Sequence, residues 1–240
     1  MIKLKAIILN SGTGSRMGGF TQNNHKSMVE IKSDLPLIYH QINILKKMNI
    51  NKIIITTGYM EHKLKDYLNK YFSELDIVFV CNKNYLDTNY IYSIYLALEE
   101  LNEDIILFHG DLYFDKETLN DIISSKESCV VVDSTIELPK KDFKAELEDG
   151  RVSKIATYIN GENCIACQPL YKFRIQDWKI WAKAIRYFCD NGETNVYAEE
   201  ALNTVLNQIY LKPIDLEGRL CMEVDTLDDL SILKEKLSNK

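Results

Sequence analysis

The stretch richest in chemistry follows the first apolar run: Leu9-Asn-Ser-Gly-Thr-Gly-Ser-Arg-Met-Gly-Gly19, with Lys26 a few residues beyond. Glycines permit a sharp turn and let backbone N–H groups approach phosphate oxygens, and a spaced arginine and lysine supply the cations a polyphosphate requires. Two familiar phosphate loops fail on spacing. A P-loop ends in Gly-Lys-Ser/Thr, which is missing here. A dinucleotide fingerprint needs glycine where Met17 stands and an acid closing the second strand, where the chain reads Thr56-Thr57-Gly58-Tyr59. Two further apolar runs end on a carboxylate, Ile105-Ile-Leu-Phe-His-Gly-Asp111 and Cys221-Met-Glu-Val-Asp225. Either aspartate alone would also serve as a helix cap. Glu223 falls on the same strand face as Asp225, which makes it a weaker candidate ligand or orienting group. The histidines (His25, His40, His62, His109) form no His-Glu-x-x-His pair and no Gly-x-Ser-x-Gly elbow is present, so zincins and α/β-hydrolases are excluded. Cys164-Ile-Ala-Cys167 lacks the second pair of a zinc site and reads as strand with packed thiols.

These groups sit in a chain whose β-branched runs alternate with helical periodicity. The pattern predicts strands at Ala6–Leu9, Lys52–Thr57, Ile77–Val80, Ile105–Phe108 and Cys129–Val132. It predicts helices over Pro36–Met48, started by Pro36 behind Ser33 and Asp34, then near Lys63–Asn69, over Tyr90–Leu101 and near Glu117–Ile123. Repeated units of this length imply a largely parallel sheet covered on both faces. Beyond residue 140 the pattern changes to a hairpin, Phe143–Leu147 and Val152–Ile155 around Asp149-Gly150, followed by helices at Gln176–Phe188, Tyr197–Gln208 and Leu227–Leu237.

The chain has 240 residues, 46% hydrophobic and 27% charged, which is globular usage. Its net charge of −6 argues against a surface for nucleic acid or anionic membrane, so neither is expected as a partner. Residues 1–60 nevertheless carry a net +6, from Lys3, Lys5, Arg16, Lys26, Lys32, Lys46, Lys47 and Lys52 against Glu30 and Asp34, leaving −12 for the remainder. The N-terminal apolar stretch is too short to span a bilayer and lacks a small-residue cleavage site, which predicts a cytoplasmic protein. The scattered cysteines fit reduced core thiols.

Gly12-Thr-Gly-Ser-Arg-Met17 through His25-Lys-Ser-Met28 resembles the signature loop of the sugar-phosphate nucleotidyltransferase superfamily. Cys81-Asn-Lys-Asn-Tyr-Leu-Asp-Thr-Asn-Tyr-Ile-Tyr-Ser93 resembles the segment N-x-x-Y-x-D-x-N-(N)-x-Y-S of bacterial CTP:phosphocholine cytidylyltransferases and their phosphonate-using relatives. The departures are Asn10-Ser11 for the usual Ala-Ala, His25 for the usual proline, and Tyr90 for a common second asparagine. The resemblance implies an α/β, Rossmann-like three-layer nucleotidyltransferase fold, with a mixed, mostly parallel sheet and a small hairpin and helical insertion as acceptor lid. It implies a single domain over 1–240: a nucleotide-binding half at 1–135, an acceptor half at 136–220, and a metal-ligand strand and closing helix at 221–240. By the same resemblance Mg²⁺ sits on Asp111 and Asp225, and Lys26 and Arg16 are catalytic. The nucleotide is held by Asn10, Ser11, Gly12, Thr13, Gly14, Ser15, Arg16, Lys26 and Gly110, with Asn82, Thr88, Asn89 and Ser93 near cytosine and ribose. The acceptor lid is expected around Lys141–Tyr171 and Tyr197–Glu200, with Tyr90, Gln168, Tyr171, Tyr197 and Glu199 facing the acceptor. Trp178 and Trp181, three apart, are expected to pack a helix face. The implied partners are CTP and a small acceptor of the phosphocholine, aminoethylphosphonate or phosphoglutamine type, with a homodimer left open. The alternatives are a sugar-1-phosphate nucleotidyltransferase and a catalytically silent nucleotide-binding module.

Overall fold

Runs such as Ala6–Leu9 and Ile53–Ile55 have no polar face, so the strands they form must be covered on both sides. A computed structural model describes residues 4–32 and 34–239. Lys3, and Ser33 of the expected helix start, lie outside the described residues. The strands are β1 (Leu4–Asn10), β2 (Glu30–Lys32), β3 (Leu35–Pro36), β4 (Lys52–Thr57), β5 (Asp76–Cys81), β6 (Asp104–His109), β7 (Leu112–Phe114), β8 (Ser128–Asp133), β9 (Lys144–Glu148), β10 (Arg151–Ala156), β11 (Cys164–Phe173), β12 (Leu211–Asp215) and β13 (Cys221–Glu223). The helices are α1 (Leu37–Lys47), α2 (Glu61–Tyr71), α3 (Tyr90–Ala97), α4 (Lys116–Ser124), α5 (Ile175–Asp190), α6 (Ala198–Asn203) and α7 (Leu227–Ser238).

The main sheet runs β5-β4-β1-β6-β11-β8-β12. β1, β4, β5 and β6 are mutually parallel, as are β8 and β12, while β11 runs antiparallel to β6 and β8. Alternation sorts the core into two layers. Ile7, Leu9, Ile105 and Leu107 pack on the side of Trp178 and Trp181, while Ala6, Ile8, Ile106 and Phe108 pack on the side of Ile38, Ile42 and Leu64. Helices thus cover both faces, as the sequence implied. A smaller cluster of Met17, Val29, Leu37, Tyr113, Val224 and Leu233 fastens the loop after β1 to the paired β7 and β13 and to α7.

Two expectations are corrected. The hairpin β9–β10 turns at Asp149 and Gly150, with φ of 50° and 75°, as Asp-Gly demands, but it is no separate lid. β11 is ten residues long: Cys164–Ala166 pairs with β9 and Leu170–Phe173 with β6, across a bulge between Gln168 and Tyr171 that lets one strand serve both. The segment Lys141–Tyr171 therefore extends the main sheet. The helix expected over Tyr197–Gln208 stops at Asn203, whose carboxamide holds both backbone groups of Ile155, and resumes as a 3₁₀ turn at Leu206–Gln208.

Candidate active site

The chain leaves β1 for β4 on one side and later returns to β6 on the other, so a crevice opens at the carboxyl ends of β1, β4 and β6. One cavity there is lined by Asn10, Gly12–Arg16, His25–Ser27, Gly110, Asp111 and Asp225. The loop bends through Gly14, at φ 64°, and Lys26 packs where a side chain at Gly14 would stand. His25 ties the loop back to its strand: the ring is buried, Nε2 lies 2.8 Å from the Asn10 carbonyl, and Nδ1 accepts the Ser27 N–H at 3.2 Å. A proton on Nε2 satisfies both contacts. Burial holds the imidazole below its ordinary pKa, against the pull of the Asn10 carbonyl.

Lys26 bonds both expected metal carboxylates, Asp111 at 2.6 Å and Asp225, and Arg16 reaches Asp225 at 2.7 Å. Burial disfavours the Lys26 charge, but the two carboxylates outweigh it and raise the pKa. Asp111 is likewise penalised by burial and is held below the ordinary range by Lys26 and His109. Asp225 is not a helix cap: Thr226 and Asp229 form a reciprocal capping box for α7, which leaves the Asp225 carboxylate to face Lys26.

Two contributors, His109 and Gln41, escaped the sequence reading. His109 pairs with Glu223 across 2.9 Å, and burial, which would lower its pKa, is overcome by Glu223 and by the Asp111 and Glu199 charges, raising it to about 9. Only its place at a strand end, beside a carboxylate flagged as an orienting group, could have signalled this. Gln41 donates to the carbonyls of His109 and Leu112, pinning the turn that carries Asp111. Its signal was a polar residue on the apolar face of α1. Tyr85 lines the recess described next.

That recess adjoins the first cavity and is lined by Leu9, Ser11, Gly12, Asn82, Tyr85, Thr88, Asn89, Tyr90, Ser93, His109 and Asp111. All four residues expected near cytosine and ribose are there. Asn82 and Ser93 are buried and bonded to one another, however, and the Asn89 side chain bonds the first N–H of α3, so these are wall groups more than free hands.

Four of the five acceptor candidates, Tyr90, Tyr171, Tyr197 and Glu199, meet in one cluster, and Gln168 stands apart. Tyr171 is fully buried in the sheet, its ring 5.9 Å from Trp181, and Glu199 is buried beneath Tyr90, accepting both the Tyr90 and Tyr171 hydroxyls. Burial, reinforced by the Glu199 charge, keeps both phenols protonated. Tyr171 and Glu199 thus support the wall, contrary to the expectation that they face the acceptor. The reason is that β11, far from being a lid strand, is central. Tyr197 is exposed and lies against Tyr90 and Phe143. Gln168 lines a separate groove behind Glu223 and Asp225, shared with Arg16 and Asp133.

Asp111 Oδ1 is buried without a hydrogen-bond partner, and two carboxylates converge on one cation. Hard oxygen donors of this kind suit a magnesium ion, so the residues fit the metal that the resemblance implies. His109, Asp111 and Glu223 also bring ligand atoms within 4.8 Å of one another.

Residues 23–145 match the family described as "Domain of unknown function (DUF6564)". A CTP:phosphoglutamine cytidylyltransferase of Campylobacter jejuni is 31% identical over 259 aligned positions, covering 97% of this chain and 100% of that protein. A choline-phosphate cytidylyltransferase of Streptococcus pneumoniae is 28% identical, covering 99% of this chain and all of that one. The solved structure of the CTP:phosphocholine cytidylyltransferase from Streptococcus pneumoniae superposes with a TM-score of 0.83 at 27% identity, over 98% of this chain and 100% of the other. A glycine loop, a shared lysine and two strand-end carboxylates, set in a sheet that matches along its whole length, lead to one assignment: the chain belongs to the nucleotidyltransferase superfamily, on its cytidylyltransferase branch.

Proposed function

We propose that the chain transfers CMP from CTP to a small phosphorylated or phosphonate headgroup and releases pyrophosphate. The observation that carries this is Lys26, bonded at once to Asp111 and Asp225 beside the glycine loop. Asp111 and Asp225 would hold Mg²⁺, which when bound supplies positive charge to the triphosphate. The backbone N–H groups of Gly12–Ser15 and the exposed Arg16 guanidinium cradle the departing pyrophosphate. Lys26 bonds the α-phosphate and draws charge from it as the acceptor oxygen attacks in line. An acceptor phosphate is already anionic at pH 7, so no general base is required. The second recess, walled by Tyr85 and Tyr90, receives the base and ribose.

The acceptor reaches the α-phosphate from the side of Tyr90, Tyr197, His109 and Glu223. A headgroup of the phosphocholine, phosphoglutamine or aminoethylphosphonate type is the proposal, and the product is an activated precursor for decorating cell-surface polysaccharide or lipid. A cytoplasmic location fits a soluble nucleotide substrate. No helix among the described residues is long and apolar enough to cross a membrane. The test incubates the protein with CTP, Mg²⁺ and a pool of phosphocholine, phosphoglutamine, aminoethylphosphonate, glycerol phosphate and sugar 1-phosphates, read by mass spectrometry. A CMP adduct of one small headgroup is expected. Adducts of sugar phosphates alone, or none, would refute the reading.

A further inference from the structure

Glu223, at which the acceptor side ends, also opens onto a groove of about 950 Å³, against about 240 and 180 Å³ for the loop cavity and the base recess. The groove brings Arg16, Glu223 and Asp225 of the site together with Asp133, the last residue of β8, and with Thr135 and Lys141 beyond it. Asp133 is only 6% exposed. Its Oδ1 accepts the Thr135 N–H at 2.9 Å and the Thr135 hydroxyl at 2.7 Å, while the Ser134 N–H donates to Asp215 at 3.2 Å and so fixes the same turn from β12. Oδ2 has no hydrogen bond, and Asp133 no ion pair, among the described residues. That oxygen is not sealed in, because the fully covered polar atoms that lack a partner lie elsewhere, on Asn10, Gln41, His109 and Asp111. Arg219 in the same groove is committed to Asp121 and to the Asp215 and Leu216 carbonyls. A carboxylate withdrawn from water without a counter-charge is costly, and this one is held with one oxygen left for the groove it lines.

We propose that Asp133 Oδ2 receives an N–H of a protonated amine on the acceptor, so that the acceptor is an amine-bearing phosphate or phosphonate and not a quaternary ammonium one. The inference rests on the CMP-transfer reading above. The phosphoryl end of the acceptor enters beside Glu223 and Asp225, and its tail lies in the groove. A quaternary ammonium has no N–H to give a carboxylate and is held by the faces of aromatic rings, and no aromatic ring lines this groove among the described residues. A primary ammonium donates directly, and its bond to a carboxylate is the stronger, charge-assisted kind.

Steady-state turnover of aminoethylphosphonate, ethylphosphonate and phosphocholine, with CTP and Mg²⁺, tests this. Wild type is expected to favour aminoethylphosphonate over its amine-free counterpart by about 10- to 100-fold in kcat/KM, the scale of one charge-assisted hydrogen bond, and to use phosphocholine no better than ethylphosphonate. Asp133→Asn keeps the oxygen that Thr135 requires and removes the charge. It should raise KM for aminoethylphosphonate by the same factor, with KM for CTP and the turnover of ethylphosphonate as in wild type. A purely structural role would weaken all three acceptors alike, and the thermal midpoint confirms that the variant is folded. Phosphocholine preferred by wild type, or equal losses for all three acceptors in Asp133→Asn, overturns the proposal and leaves CMP transfer standing. No CMP adduct from any of the three overturns the proposal, and none across the wider pool above overturns CMP transfer as well.

Discussion

At the scale of residues, the account rests on a lysine between two carboxylates. Lys26→Ala removes the group proposed to draw charge from the α-phosphate, and Asp111→Asn weakens the metal's seat. Each is expected to lower kcat by about 10²–10³ or more, while circular dichroism shows a folded chain. Turnover within tenfold of wild type in either variant would contradict those roles. His25 makes a separate prediction. Its pKa is lowered in the folded chain by burial, against 6.5 when unfolded, so below pH 6.5 the unfolded state binds the extra proton first. The stabilisation is present above that pH and is lost as pH falls. His25→Gln should flatten this acid-side decline in thermal midpoint, and an unaltered decline would show that the ring does not hold the loop. Position 25 is filled by a ring that ties Lys26's loop to the Asn10 carbonyl.

At the scale of elements, the turn between β6 and β7 aims Asp111, and it works through contact with the end of β1. A Cβ at Gly110 would stand 1.9 Å from Asn10 Oδ1, closer than any packing allows. Gly110→Ala should therefore cost about 1–3 kcal/mol of stability and most of the activity. Asn10→Ala removes the obstructing carboxamide, so the double variant should recover much of the stability, giving a non-additive cycle. Strict additivity in denaturant melts would contradict the contact. The element boundaries were legible wherever local periodicity decides them: Lys52–Thr57 is a strand over that very range, and the Asp149-Gly150 turn is where its residue types require it. What local pattern could not reveal was partnership. Nothing in Cys164–Phe173 announces that this strand lies between β6 and β8. Tyr171 consequently read as a pocket residue and is a core residue. The His109–Glu223 pair joins residues 114 positions apart in the same way, and only folding brings the two together.

At the scale of the whole molecule, the basic first quarter divides by role. Arg16 and Lys26 line the crevice. Lys5 is buried, donating to the Glu100 carbonyl and to Asn102, and so closes the start of β1 against the turn that follows α3. Lys46 pairs with Glu74 on the surface, where such a pair contributes little. Within the −6 balance, the crevice sets Arg16 and Lys26 against carboxylates that pair with them. The acids that face it, Asp111, Glu223 and Asp225, come from the second half of the central β-α-β run and from the C-terminal strand and its end, so the site requires both ends of the chain to close around β1. The most direct test of CMP transfer is the fate of label from CTP marked at the α- or the γ-phosphorus, with Mg²⁺ and the acceptor. The account predicts α-label in a headgroup adduct and γ-label in pyrophosphate, both lost in Asp111→Asn. Label from the γ-position in the acceptor, or in free inorganic phosphate with CDP left behind, would contradict it.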